Sequence, residues 1–240
     1  DAPVNPETNE VRTMGLEFGP DGDLYIVDNP GWTGRADLIR TGRIIRVHFN
    51  ADGEYESFRV VADHMEHPNG LRIRNGKIYV TQSTLELVNT ESGKLMSCVY
   101  CFDLEDENIH CTNTLEDENI LCTFITENPK CQYGVDGIIF DREGRLIIGN
   151  FGDGSVWRII LNASGDKMLD KQLWCCDPEN LKTTDGMTID PYGNIYVADF
   201  SANAIGKITP DGTISRIAQS PDCTGWEGGL DEPGEPCYWN

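Results

Sequence analysis

Four segments of the chain are versions of one another: MGLEFGPDGDLYIVDN from Met14, NGLRIRNGKIYVTQS from Asn69, DGIIFDREGRLIIGNF from Asp136 and DGMTIDPYGNIYVADF from Asp185. Each has a residue followed by glycine, a short apolar run, a turn containing glycine, and a second apolar run that ends on a polar residue. A third run follows each hairpin (GRIIRVHFN, SCVYCFDLE, SVWRIILN and AIGKITP), and then a weaker fourth. A repeat of roughly 50 to 65 residues made of short strands and glycine turns, without helical periodicity between them, specifies a β-propeller. The expectation is an all-β protein of four-stranded blades, one domain over residues 1–240 with repeats starting near 14, 69, 136 and 185.

The blade count does not close. One more period from Asp185 reaches Glu235, where EPCYWN reads as the first strand of a fifth repeat. Blades in a ring bury each other's faces, so four blades and a fragment leave two open edges. The ring is then completed by a further segment or by another chain, and the open edges are surfaces for self-assembly. The longest repeat also carries a doubling, LEDENIHC from Leu104 and LEDENILC from Leu115. Tandem acidic turns flanked by cysteines read as exposed hairpin tips, with Ca²⁺ binding as the alternative.

Charge and cysteine content bound the partners. Forty acids against nineteen basic residues give a net charge of -21, which argues against nucleic acid and anionic membrane because both attract the opposite sign. No apolar run has the length of a membrane span, so insertion is not expected. The first ten residues, DAPVNPETNE, lack the basic and apolar regions of a signal peptide, so a secreted form has already lost its signal. Nine cysteines and the sequon Asn162-Ala-Ser164 favour an oxidising, extracellular compartment, with disulfides and a glycan on Asn162. Two further motifs read as structural. Cys98-Val-Tyr-Cys101 sits in a strand-like run where residues three apart face opposite ways, and His64-Met-Glu-His67 reads as a surface turn without a third ligand.

Two polar series recur with the repeat. The residue before the first glycine is Met14, Asn69, Asp136 and Asp185, and the fragment offers Glu235 at the corresponding place; the residue closing the second strand is Asp28, Gln82, Asn150 and Asp199. Innermost strands of a propeller line its axis, so both series converge on one mouth. Hard oxygen donors in a ring suit Ca²⁺, and carboxylates crowded there repel one another unless a cation is bound. Asn69, Asp136, Asp185 and Glu235 are the candidate metal ligands. Asp28, Asn150 and Asp199 form a second polar ring, for which strand and turn capping is the alternative.

The segments HPNGLRI, GVDGIIFD and TTDGMTIDPYGNIYVADF resemble the regucalcin/gluconolactonase-like, or senescence marker protein type, six-bladed propellers, which are related to diisopropyl fluorophosphatase and paraoxonase. The resemblance implies a catalytic Ca²⁺ on the axis, held by Asn69, Asp136 (where the family often has Asn) and Asp185 in the place of the family's Asp. It implies that Met14 begins the family's second blade, which supplies no ligand, and that the Glu-bearing first blade lies outside this chain. The function expected is a Ca²⁺-dependent hydrolase of lactones or related esters, with Asp185 or Asp136 as base toward water. A non-catalytic secreted propeller acting as a binding or assembly scaffold for other protein chains is the alternative.

Overall fold

The computed structural model describes residues 3–6, 8–88, 90–221 and 229–238, which fall into two compact units, Asp1–Thr123 and Phe124–Asn240. The first unit begins with β1 (Thr13–Phe18), β2 (Leu24–Asp28), β3 (Gly42–Phe49) and β4 (Tyr55–Met65). It continues with β5 (Pro68–Arg74), β6 (Lys77–Gln82), β7 (Met96–Asp103), β8 (Ile109–His110) and β9 (Ile120–Ile125). The second contains β10 (Val135–Phe140), β11 (Leu146–Asn150), β12 (Ser155–Leu161) and β13 (Met168–Cys176), then β14 (Met187–Ile189), β15 (Ile195–Asp199), β16 (Ala204–Ile208) and β17 (Ile214–Gln219). The sheets run β1-β2-β3-β4-β8 and β5-β6-β7-β9 in one unit, β10-β11-β12-β13 and β14-β15-β16-β17 in the other. Four sheets of four strands in nearly sequential order, the first extended by the parallel β8, are the blades that the repeat specifies.

The second strand of every hairpin is buried on both faces, which is why its apolar run is continuous instead of alternating. Ile26, Ile78, Val80, Leu146, Ile148, Ile195 and Val197 are all core residues, and Tyr25, Val27, Tyr79 and Ile147 between them are buried as well. Leu24, at the strand mouth, is half-buried and packs on Ile26, Ile45 and Val47.

The pre-glycine pairs sit where the first strand breaks register. Shifts fall between Thr13 and Leu16, Pro68 and Leu71, and Val135 and Ile138. A bulge leaves its extra residue out of the ladder and re-aims its side chain, so in these three blades the pre-glycine residue sits at a break in the regular sheet, while Asp185 and Gly186 precede β14. Close approach then demands the glycines themselves. A Cβ at Gly15 would stand 2.7 Å from the Asn69 carbonyl and the Leu71 amide, and one at Gly137 would collide with the Asp185 carbonyl.

Two expectations change. Residues 233–238 are not a strand; Pro236 cannot donate to a ladder. Yet the Gly186 amide donates to the Gly234 carbonyl at 2.8 Å, so this segment lies beside the inner strand of its blade. The doubled octapeptide does not form a pair of free hairpin tips. Its first copy supplies β8, parallel to β4 with Ala62 opposite Ile109 and Asp63 opposite His110, and its second supplies β9 at the outer edge of the next blade. The equivalent acids Asp106 and Asp117 cap these turns, accepting the amides of Asp103 (2.8 Å) and Thr112 (2.7 Å). Both oxygens of Asp117 and one of Asp106 accept backbone amides.

Candidate functional site

In the second unit the bulge within β10 presents Asp136, the segment leading into β14 presents Asp185, and the segment beside Gly186 presents Glu235. Asp136 is buried, Asp185 half-buried and Glu235 exposed, so the three grade from the interior to solvent. Asp185 Oδ1 accepts the amide of Gly186 at 2.8 Å, and a Cβ on Gly186 would run into the Glu235 carboxylate. Burial pushes the Asp136 carboxyl well above the usual carboxylate range, and the negative charges of Asp185 and Glu235 push it further. Asp185 is raised to about 7, first by burial and then by Glu235, against the Gly186 hydrogen bond that lowers it. The donors are all oxygens and the burden on them is negative charge, which is the environment a hard divalent cation relieves.

The second polar ring does different work. Asp28 accepts the Arg12 amide at 2.6 Å and Arg43 Nε at 2.8 Å. Gln82 accepts the Glu66 amide at 3.0 Å. Asn150 donates to the Ile125 carbonyl and accepts from Thr126 Oγ1. Asp199 accepts the amides of Lys182 and Thr183. In every blade the residue closing the second strand clasps the segment that leads toward the first, so these side chains are committed to holding their own hairpins.

Asn69 lies on β5 of the first unit, half-buried, with its carbonyl against Gly15. Met14, the ligand-free member of the series, packs on the apolar core of that unit. Glu17 accepts the Ile73 amide at 2.7 Å, and Arg72 acts on it by charge. Among the described residues no disulfide is formed, and Cys223 lies outside them. Cys98 and Cys111 are buried in one core cluster, and burial foremost drives both thiols up, with the neighbouring Cys111 and Cys122 adding to the effect on Cys98.

One group escaped the sequence reading. Among the described residues, Asp63, His64 and His110 alone place three His, Cys, Asp or Glu ligand atoms within 4.8 Å of one another; the acids at 136, 185 and 235 are spread more widely. His67 takes no part. It stands against Trp32 with ring centroids 5.9 Å apart, burial lowering its pKa to about 4, while Met65 and Glu66 are buried, so HMEH is not a surface turn. The signal available in the sequence was the single exchange between LEDENIHC and LEDENILC, which puts His110 where the other copy has Leu121.

No protein-family model and no curated protein matches the chain. Solved structures do. A candidate gluconolactonase superposes with a TM-score of 0.55 at 18% identity over 88% of this chain and 64% of its own. A gluconolactonase of Xanthomonas campestris gives 0.56 at 15% identity over 87% and 62%. A chain of a nidogen–laminin complex gives 0.56 at 14% identity over 97% and 75%. The chain thus spans a little under two thirds of the length of the two gluconolactonase structures. What these likenesses establish is the fold: four-stranded blades of the kind found in the gluconolactonase and regucalcin-like β-propellers.

Proposed function

We propose that the protein is a metal-dependent hydrolase of lactones or related esters, with Ca²⁺ as its ion. The observation that carries this reading is the grouping of Asp136, Asp185 and Glu235, all oxygen donors with one buried member, in which Asp185 and Glu235 raise the carboxyl of Asp136 and Glu235 raises that of Asp185. These three residues would hold the ion, and the chemistry it supplies when bound is polarisation of a carbonyl oxygen and neutralisation of the acids. Asp185 is the residue suited to take a proton from water, since it is half-buried between the buried Asp136 and the exposed Glu235 and would be ionised with the ion in place. Glu235, exposed at the rim, keeps the acids in reach of solvent and of a small substrate.

Secretion belongs to the same reading. Asn162 lies in the turn between β12 and β13 with its Nδ2 2.9 Å from Ser164 Oγ, an accessible sequon for glycosylation, and several cysteine pairs would be oxidised on export. Peptide mapping of the native protein should find modified Asn162 and fewer than nine thiols; an unmodified asparagine with nine thiols would exclude the secretory route.

Hydrolysis of δ-lactones and chromogenic aryl esters, measured with Ca²⁺ and with EDTA, tests the activity. Turnover that EDTA abolishes and Asp185→Asn abolishes is expected. Ca²⁺ binding without turnover of either substrate class would instead favour a scaffold role, for which the likeness to the nidogen–laminin chain is the supporting observation.

A further inference from the structure

Asp63 and His64 are consecutive, and in a regular strand they would face opposite ways. They do not, because His64 adopts φ 59°, a left-handed conformation that is uncommon for any residue but glycine. The twist at the end of β4 swings the imidazole back, so that His64 Nδ1 lies 2.6 Å from Asp63 Oδ1. His110 reaches the same oxygen from β8, its Nδ1 2.5 Å away. The two rings meet edge to face with centroids 5.0 Å apart. Both imidazole Nδ1 atoms thus meet Asp63 Oδ1, which gathers two nitrogens and one carboxylate oxygen within 4.8 Å of one another, and the groups are open to solvent: the side chains are 53%, 68% and 29% exposed for His64, His110 and Asp63.

From this we infer that Asp63, His64 and His110 form a second metal site, for a divalent ion of the Zn²⁺ class, with water in the remaining position. Two nitrogens and one oxygen match the ligand preference of Zn²⁺ and its neighbours in the transition series and are poorly suited to Ca²⁺, which takes oxygen. Tetrahedral coordination at about 2.0–2.2 Å sets ligand atoms about 3.4 Å apart. The present nitrogens need to withdraw from the carboxylate by less than about 1 Å, a small adjustment for exposed side chains. The nearby cations are engaged elsewhere: Arg40 with Glu66 at 3.4 Å and Arg43 with Asp28 at 2.8 Å. An ion bound here would strap β8 to β4. That two-residue strand is otherwise held by backbone contacts such as Asn108 N to Val60 O (2.9 Å) and Cys111 N to Asp63 O (3.1 Å), and it covers an edge that would be open for pairing with another chain.

The experiment uses the whole chain, stripped with EDTA and dialysed against ZnCl₂, with bound metal counted by mass spectrometry. His110→Leu, which installs the residue of the second octapeptide copy, leaves the backbone pairing intact. It should weaken one equivalent of Zn²⁺ by at least about tenfold while far-UV circular dichroism and the urea midpoint in EDTA stay unchanged. His64→Ala should do the same, and Co²⁺ should give visible absorption bands with the wild type that His110→Leu lacks. Asp185→Asn should leave this equivalent in place, which separates the site from the acids of the second unit. Zn²⁺ uptake that is absent from the wild type, or equal in wild type and His110→Leu as thiol binding would make it, would overturn the inference. So would its loss in Asp185→Asn.

Discussion

Asp136 and Asp185 stand at the start of their blades' hairpins; Asp28 and Asp199 close the second strand of theirs. The residue type is the same and the surroundings are opposite. Asp28 faces Arg43 at 2.8 Å and Asp199 faces Arg216 at 3.4 Å, and both also accept backbone amides. The charges that act on Asp136 are those of two other acids. The strand-closing acids thus contribute to stability, whereas the pre-glycine acids cost stability at neutral pH. Proteins retain electrostatic costs of that kind at positions that serve binding or chemistry, which is what makes the pre-glycine acids candidates for a site.

The largest effect that could break the comparison lies at Asp28. Removing its carboxylate in Asp28→Ala leaves Arg43 as a buried charge without its partner, a loss of about 3–5 kcal/mol, read by urea unfolding in EDTA. Asp136→Asn in the same assay should cost less than about 1 kcal/mol or stabilise, because it removes a buried charge that others repel. Equal destabilisation by the two substitutions would mean that Asp136 is as much a structural residue as Asp28.

Next in size is the response to Ca²⁺. At a hundred times its dissociation constant the ion should stabilise the wild type by about 2.7 kcal/mol, and Asp185→Ala or Asp136→Ala should abolish that gain while Asn150→Ala keeps it. The pH dependence sharpens the same point. The Asp185 carboxyl is raised from 3.8 to about 7 in the folded protein, so the folded state holds a proton that the unfolded state has lost. The resulting stability is full below about pH 4 and disappears as pH rises through about 7. His67, lowered from 6.5 to about 4, acts oppositely: its stability is full above 6.5 and is lost as pH falls through 4. Comparison with Asp185→Asn, measured in EDTA from pH 5 to 8.5, isolates the carboxyl: the wild type should lose stability relative to the variant as pH rises. Saturating Ca²⁺ should flatten the wild-type profile.

A still smaller change is expected at Gly186. Its Cβ in Gly186→Ala would meet the Glu235 carboxylate and the Gly234 carbonyl, so the segment must shift at about 1–3 kcal/mol, typical of overpacking, and Ca²⁺ should bind more weakly. Unchanged Ca²⁺ affinity in a folded variant would remove Glu235 from the ligand set.

The blades were legible because the repeat writes the same hairpin four times, and the buried strands such as LIIGN and IYVAD carry little but apolar residues. Asp136 and Asp185 are singled out in the sequence by their place before glycine. The distinction between the two polar series was not legible, since Asp in the sequence looks alike whether it meets Arg43 from a neighbouring strand or Asp185 from the next blade. The His64–His110 pair was hidden for a related reason. It depends on a positive φ at a residue that is not glycine and on a parallel pairing between segments nearly fifty residues apart, neither of which a local pattern reveals.

The smallest effect gives the finest test, because it concerns two residues only one position apart from being neighbours. Thr183 Oγ1 donates to Asp199 Oδ1 at 3.0 Å and accepts the Ser201 amide at 3.0 Å, so it belongs to the clasp that holds the entry to β14. Thr183→Val keeps the shape and removes those bonds, for about 1 kcal/mol, while Asp199 retains its backbone amides and Arg216. Ca²⁺ affinity should be unaltered. Asp185→Asn should show the reverse, no loss of stability in EDTA and no Ca²⁺ response. If Thr183→Val also abolished the response, clasp and acids would be one cooperative structure, and the division between fold residues and site residues would have to be drawn further out along the hairpin.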